Sequence, residues 1–121
     1  MAKRGKRKRT SSSTVAASIA PAPPQVFEAV RGADGTVRKR LPLTVAEAQV
    51  KRKAGLDVVV CGADLSANRR LAGVIERNAN GSVKRCPPHV NAGPKALPHY
   101  QPDPRPPDGH TFYETPNRKA L

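Results

Sequence analysis

The chain has 121 residues, with 22 Lys and Arg against 9 Asp and Glu, for a formal net charge of +13. That length allows one small domain, and 13 prolines, 9 glycines and no tryptophan describe a lean, loop-rich one. A large dry core is excluded, and so is a membrane-spanning helix, because no stretch approaches roughly 18 apolar residues.

Residues 1–24, MAKRGKRKRTSSSTVAASIAPAPP, contain only Val15 and Ile19 as strong apolar side chains. They cannot bury enough surface to offset chain entropy, so a disordered basic N-terminal tail is expected there. Lys3, Arg4, Lys6, Arg7, Lys8 and Arg9 form a dense cationic cluster suited to nucleic-acid phosphates, whose neutralisation releases condensed counterions. The plainer alternative is a solvated, solubilising tail. TVAASIA is too short and weak for a secretory signal, and Pro21, Pro23 and Pro24 crowd the end of what would be a mitochondrial presequence. A cytoplasmic protein is therefore expected. Residues 25–121 form the single domain, and their 16 basic and 9 acidic groups leave it with a net charge of +7.

Within that domain, Gln25 to Val30 is β-prone, Gly32-Ala-Asp-Gly35 is a turn, and Thr36 to Leu41 returns as a hairpin strand. Thr44 and Glu47 have the T-x-x-E spacing of a capping box, so a helix starts there. Its apolar face is read as Leu43, Ala46, Val50 and Ala54; Lys51, Arg52 and Lys53 complement the helix dipole, and Gly55 stops it. Leu56 to Cys61 (LDVVVC) is the continuous β-branched run of a buried strand. Asp64 or Ser66 caps a second helix through about Asn78, with Ala67, Leu71, Val74 and Ile75 on one face. Asn80-Gly81 turns into a brief SVKRC strand. From Pro87 to Pro107, eight of 21 residues are proline, which excludes helix and disfavours a sheet interior. His110 to Thr115 (HTFYET) closes the domain as a strand. The sum predicts an α+β fold: a small mixed sheet, two helices and a long Pro-rich loop.

Cys61 ends an apolar strand, where a small buried thiol is expected. Cys86-Pro-Pro-His89 has the spacing of half a zinc site, but Cys61, His99 and His110 offer no second recognisable pair. No metal and no cofactor is expected.

The last third carries the chemistry. All three histidines, His89, His99 and His110, fall within it, together with three of the four aromatics. Prolines 94, 98, 102, 104, 106 and 107 stiffen the segment, and stiff loops on a small scaffold often carry binding and catalytic groups. Histidine exchanges its proton near neutral pH. Two of them flanking a phosphodiester would take a proton from a ribose 2′-hydroxyl and return one to the leaving 5′-oxygen. His99 and His110 are the candidate acid–base pair, with His89 as substitute. Lys95 and Arg105 would stabilise phosphoryl charge, and Tyr100 would stack a base. His110, Phe112 and Glu114 share one strand face, and Thr111 and Tyr113 the other, so Glu114 would orient His110 or pair with an arginine. A purely structural role for each histidine, filling space or bonding a loop carbonyl, is the competing reading. A shared phosphate requires imidazole nitrogens roughly 5–8 Å apart, and separation beyond about 12 Å would end the idea. Asp108-Gly109 and the prolines before it supply the necessary reversal, and the closing strand should dock beside Leu56 to Cys61.

The ending ALPHYQPDPRPPDGHTFYE resembles the C-terminal toxin domains of bacterial polymorphic toxin systems, many of them small, basic, metal-independent ribonucleases. The matching features are Pro98-His99 and Gly109-His110-Thr111-Phe112-Tyr113, preceded by the VVVCGADLSANRRLAGVIE strand and helix, over about residues 56–115. The resemblance implies an RNA substrate, a histidine-based site and a cognate inhibitor protein as partner. The alternative is a non-enzymatic nucleic-acid-binding protein, nucleoid, ribosome-associated or phage, which needs only the charge.

Overall fold

Six strands and two helices form over residues 22–88 and 93–121, the parts of the chain that the computed structural model describes. The cationic cluster from Lys3 to Arg9 and His89 lie outside the described residues. Strands β1 (Gln25–Arg31) and β2 (Val37–Leu43) make the first hairpin. Helix α1 (Val45–Lys53) follows, then β3 (Val58–Cys61) and helix α2 (Leu65–Asn80). Strands β4 (Val83–Cys86), β5 (His99–Pro102) and β6 (Thr111–Tyr113) complete one mixed sheet of order β2-β1-β3-β6-β5-β4. All neighbours are antiparallel except β3 and β6, which run parallel.

Local sequence explains the boundaries. The Thr44 hydroxyl accepts from the Glu47 amide at 3.1 Å and the Glu47 carboxylate accepts from the Thr44 amide at 2.8 Å, so the capping box satisfies two donors at the start of α1. Gly55, at φ 84°, provides the left-handed residue after the helix. Asp64 caps α2 by accepting from the Ser66 amide at 3.0 Å.

β3 is the centre of the molecule because both of its faces are covered. Val58 and Val60 pack on the helix side with Val26, Ala48, Ala72, Ile75 and Tyr113. Val59 and Cys61 pack on the other side with Val37, Leu97, Phe112 and Ala120. The second layer on that side is irregular chain, Ala96–Leu97 and the C-terminal segment, rather than helix. Each fully buried valine contributes about 1.5–3 kcal/mol, and three in succession make this short strand the anchor for both halves of the sheet.

Three expectations need correction. The buried face of α1 is Ala48 and Arg52, while Ala46, Val50 and Ala54 are exposed, Val50 by 69%. Arg52 sits in the core with no exposed surface because α2 presents a buried carboxylate, Glu76, to its guanidinium. On α2 the buried positions are Asn68, Ala72, Gly73, Ile75, Glu76 and Ala79, whereas Val74 is turned outward. The Pro-rich segment also supplies an internal strand, β5, between β6 and β4. Prolines 98 and 102 bracket it rather than interrupt it, so the ladder needs no donor that proline lacks. Tyr113 donates its amide to the Pro98 carbonyl at 3.1 Å, and the chain reversal after Pro102 is fixed by the Asp103 amide on the Ser82 carbonyl at 3.1 Å.

Candidate functional site

The parallel register of β3 and β6 builds the site. Val58 lies opposite Thr111, so Asp57 and His110, one residue earlier on each strand, meet at the sheet's end. The His110 amide donates to Asp57 Oδ1 at 2.8 Å, and His110 Nδ1 lies 3.1 Å from the same oxygen. On the other side of the ring, Arg105 Nη2 lies 3.2 Å from His110 Nε2. A guanidinium only donates, so the partners assign the tautomer: Nδ1–H donates to Asp57 and the Nε2 lone pair accepts from Arg105. In this arrangement the imidazole is held by a carboxylate on one side and covered by a guanidinium on the other.

The surroundings fix both neighbours. Arg105 Nη2 also donates to Gln101 Oε1 at 3.2 Å and to the Gly109 carbonyl at 3.3 Å, while Nη1 lies 3.5 Å from Asp108. Asp57 Oδ2 forms an ion pair with Arg31 Nε at 3.3 Å. Burial pushes the Asp57 carboxyl up, but the hydrogen bonds from His110 and the charge of Arg31 outweigh it and hold the group below its ordinary value. Gly109, at φ 92°, makes the turn possible. A Cβ there would lie 2.5 Å from Arg52 Nη1 and 2.7 Å from the Gly55 carbonyl oxygen, so only glycine delivers His110 to this point.

His99 arrives from β5, opposite Phe112. Its ring meets that of His110 edge-on, with centroids 4.6 Å apart and planes at 78°, and meets Phe112 at 5.5 Å. The Pro-rich span has therefore folded back and brought the two histidines together. Rings in direct contact leave no room for a phosphate between them, however, and His99 has no exposed surface whereas His110 keeps 8%. The geometry places His99 behind His110, as a wall of its niche. Two clefts, of about 450 and 390 Å³, meet at Arg31 next to this network; Asp57 lines the first and Phe112 the second.

The other expected site residues are dispersed. Lys95 is exposed on the turn before Ala96, where its charge acts on Asp34 of the β1–β2 turn. Tyr100 packs over Gly73, where an added Cβ would touch its ring at 3.3 Å, and lies 5.8 Å from the Tyr113 ring. It belongs to the helix-side core rather than to a free stacking surface. Thr111 donates its hydroxyl to Glu76 at 3.0 Å in the buried network around Arg52. Glu114 does not orient His110: it accepts from the Gly62 amide at 3.2 Å and the Ala120 amide at 2.8 Å. Same-face residues four apart on extended chain are separated by about 13 Å, which is why alternation alone misled.

Asp57, Arg31 and Gln101 are the site residues that sequence reasoning missed. A signal for Asp57 existed. It is an acid placed directly before a fully buried strand, and docking that strand parallel to HTFYET aligns it with His110. Among the described residues, no helix is long and apolar enough to cross a membrane. Comparison of the chain with protein-family models, with curated proteins and with solved structures finds no match.

Proposed function

We propose that this chain is a basic RNA-binding domain of toxin type that cleaves RNA without a metal, with His110 as the proton acceptor. The observation that carries the reading is the Asp57–His110–Arg105 line, 3.1 and 3.2 Å on either side of one imidazole. In this reading an RNA phosphate draws Arg105 off the ring and onto its own oxygens. His110 Nε2, thereby uncovered, takes the proton of the adjacent 2′-hydroxyl, whose oxygen attacks phosphorus. The 5′-oxygen leaves with a proton from water, giving a 2′,3′-cyclic phosphate end. Asp57 acts as a positioning residue that fixes the tautomer, and His99 supports the ring from behind. The compartment proposed is the cytoplasm, and a cognate inhibitor protein is the partner that a toxin-type role implies.

The test is incubation of the purified full chain with RNA in EDTA. Cleavage is expected, with His110→Ala lowering the rate by about 10²–10⁴-fold, the worth of a general base. His99→Phe, which preserves the aromatic wall, should cleave much as the wild type does. Intact RNA, or equal cleavage by His110→Ala, would end the catalytic reading. One observation favours the binding-only alternative: His110 Nε2 is occupied by Arg105 and little of the ring is exposed. Binding without cleavage would give that alternative first place.

A further inference from the structure

A third cleft, of about 350 Å³, opens at the opposite end of β6 from His110. Leu65, Arg69, Arg85, Pro88, Tyr113 and Thr115 are among the residues that line it. Cys86 closes β4, Tyr113 closes β6 and Leu65 opens α2, so the cleft lies at the carboxyl ends of two like-directed strands beside the first turns of a 16-residue helix. Ligands of open α/β sheets commonly bind beyond the carboxyl ends of the strands.

The cleft brings together two arginines from different elements. Arg31, Lys51, Arg52 and Arg105 each lie within ion-pair distance of a carboxylate. Arg69 and Arg85, from α2 and β4, have no carboxylate or hydrogen-bond partner among the described residues. Both act on the same point. Burial and then Tyr100 push the Tyr113 hydroxyl up from its ordinary value, while Arg69 and Arg85 draw it down. Two guanidinium groups and one phenol therefore line a single cleft, with leucine, proline, Cys86 and Thr115 as its other walls.

We propose that Arg69 and Arg85 clamp a backbone phosphate of a nucleic-acid strand in this cleft, beside Tyr113. Planar guanidinium forks match phosphate oxygens two at a time, and two forks from different elements fix the position of the group between them. The leucine and proline walls suit the adjoining sugar, and the buried Tyr113 forms the floor of the cleft. The site lies three strand residues, about 10 Å, from His110, and Tyr113 faces the helix side while Phe112 faces the other. The inference rests on the nucleic-acid part of the proposed function and not on catalysis.

Titration of the full ¹⁵N-labelled chain with a thymidine trinucleotide tests it, because that ligand lacks a 2′-hydroxyl and reports binding alone. Amide shifts should centre on Leu65, Arg69, Arg85 and Tyr113. Arg69→Ala and Arg85→Ala should each weaken binding about tenfold, as loss of a charge-assisted hydrogen bond does. Arg69→Lys should recover part of the loss, and Arg77→Ala, on exposed α2 surface, should change little. Equal affinity in both Arg→Ala variants, shifts centred on Arg31 and Arg105, or displacement of the trinucleotide by an equimolar glutamate-rich peptide would overturn the proposal. Binding here together with intact RNA in the cleavage assay would leave this site standing while the catalytic reading fell.

Discussion

Asp57 accepts two hydrogen bonds from His110 and pairs with the charge of Arg31, and its carboxyl is held below the ordinary value of 3.8. A depressed folded value means that Asp57 stabilises the fold fully at neutral pH, and that this contribution disappears as pH falls from about 3.8 through the folded value. Asp57→Asn should therefore be less stable than wild type at pH 7 by on the order of 1 kcal/mol. Urea midpoints of the two proteins should converge in acid; a gap that persists at low pH would mean that packing, not charge, is lost. Cys61 shows the opposite sign. Burial first, and then Glu114, push its thiol up to about 12 from 9.0. The folded chain keeps a proton that the unfolded chain releases, so stability should decline as pH rises from about 9 towards 12. At neutral pH an alkylating reagent should modify the half-buried Cys86 well before the buried Cys61. Equal rates at the two cysteines would show that β3 opens far more readily than its packing implies.

At the scale of elements, one buried ion pair joins most of the pieces that hold the candidate site. Arg52 of α1 donates to Glu76 of α2 at 2.7 and 3.3 Å, and to the carbonyls of Leu56 and Asp108 at 2.9 and 3.0 Å. Glu76 also receives Thr111 of β6 and Asn80. The turn that carries His110 is thus anchored to both helices through a single guanidinium. Arg52→Met should cost about 3–5 kcal/mol in chemical denaturation, because it strands a carboxylate in the core. The double variant Arg52→Met with Glu76→Leu should recover much of that loss. A double variant as unstable as the single one would show that the Asp108 and Leu56 carbonyls, and not the charge pair, dominate.

Charge is a property of the whole molecule. With 22 basic and 9 acidic residues, the chain carries +13 overall and +7 without residues 1–24. Phosphate contacts by both parts predict a salt dependence that divides between them. Deleting residues 1–24 should flatten the slope of log affinity against log salt for RNA while leaving measurable binding by the domain. An unchanged slope would show that the cluster from Lys3 to Arg9 makes no phosphate contact.

Some of this was legible along the chain, because it depends on residues close in sequence. The T-x-x-E box, the left-handed Gly55 and the Asp64 cap fix where helices start and stop through bonds spanning a few residues. Val58 to Cys61 was readable as buried because a continuous β-branched run has no polar face to offer water. The α+β class, the basic character and the concentration of histidines in the last third follow from the order and composition of residues alone. The pairing of elements was not legible. Alternation shows which strand residues share a face, but the neighbour is set by register, and so Glu114 was suggested for His110 where Asp57 binds it. Helical periodicity marked Val50 as apolar, yet burial went to Arg52 because Glu76, 24 residues away, neutralises it. Proline content marked His99 as loop, yet prolines at the borders leave a strand intact between them. Charge and propensity act locally and can be read from the chain; a partner for a buried polar group is chosen only when distant segments meet, because its desolvation must be offset at that place.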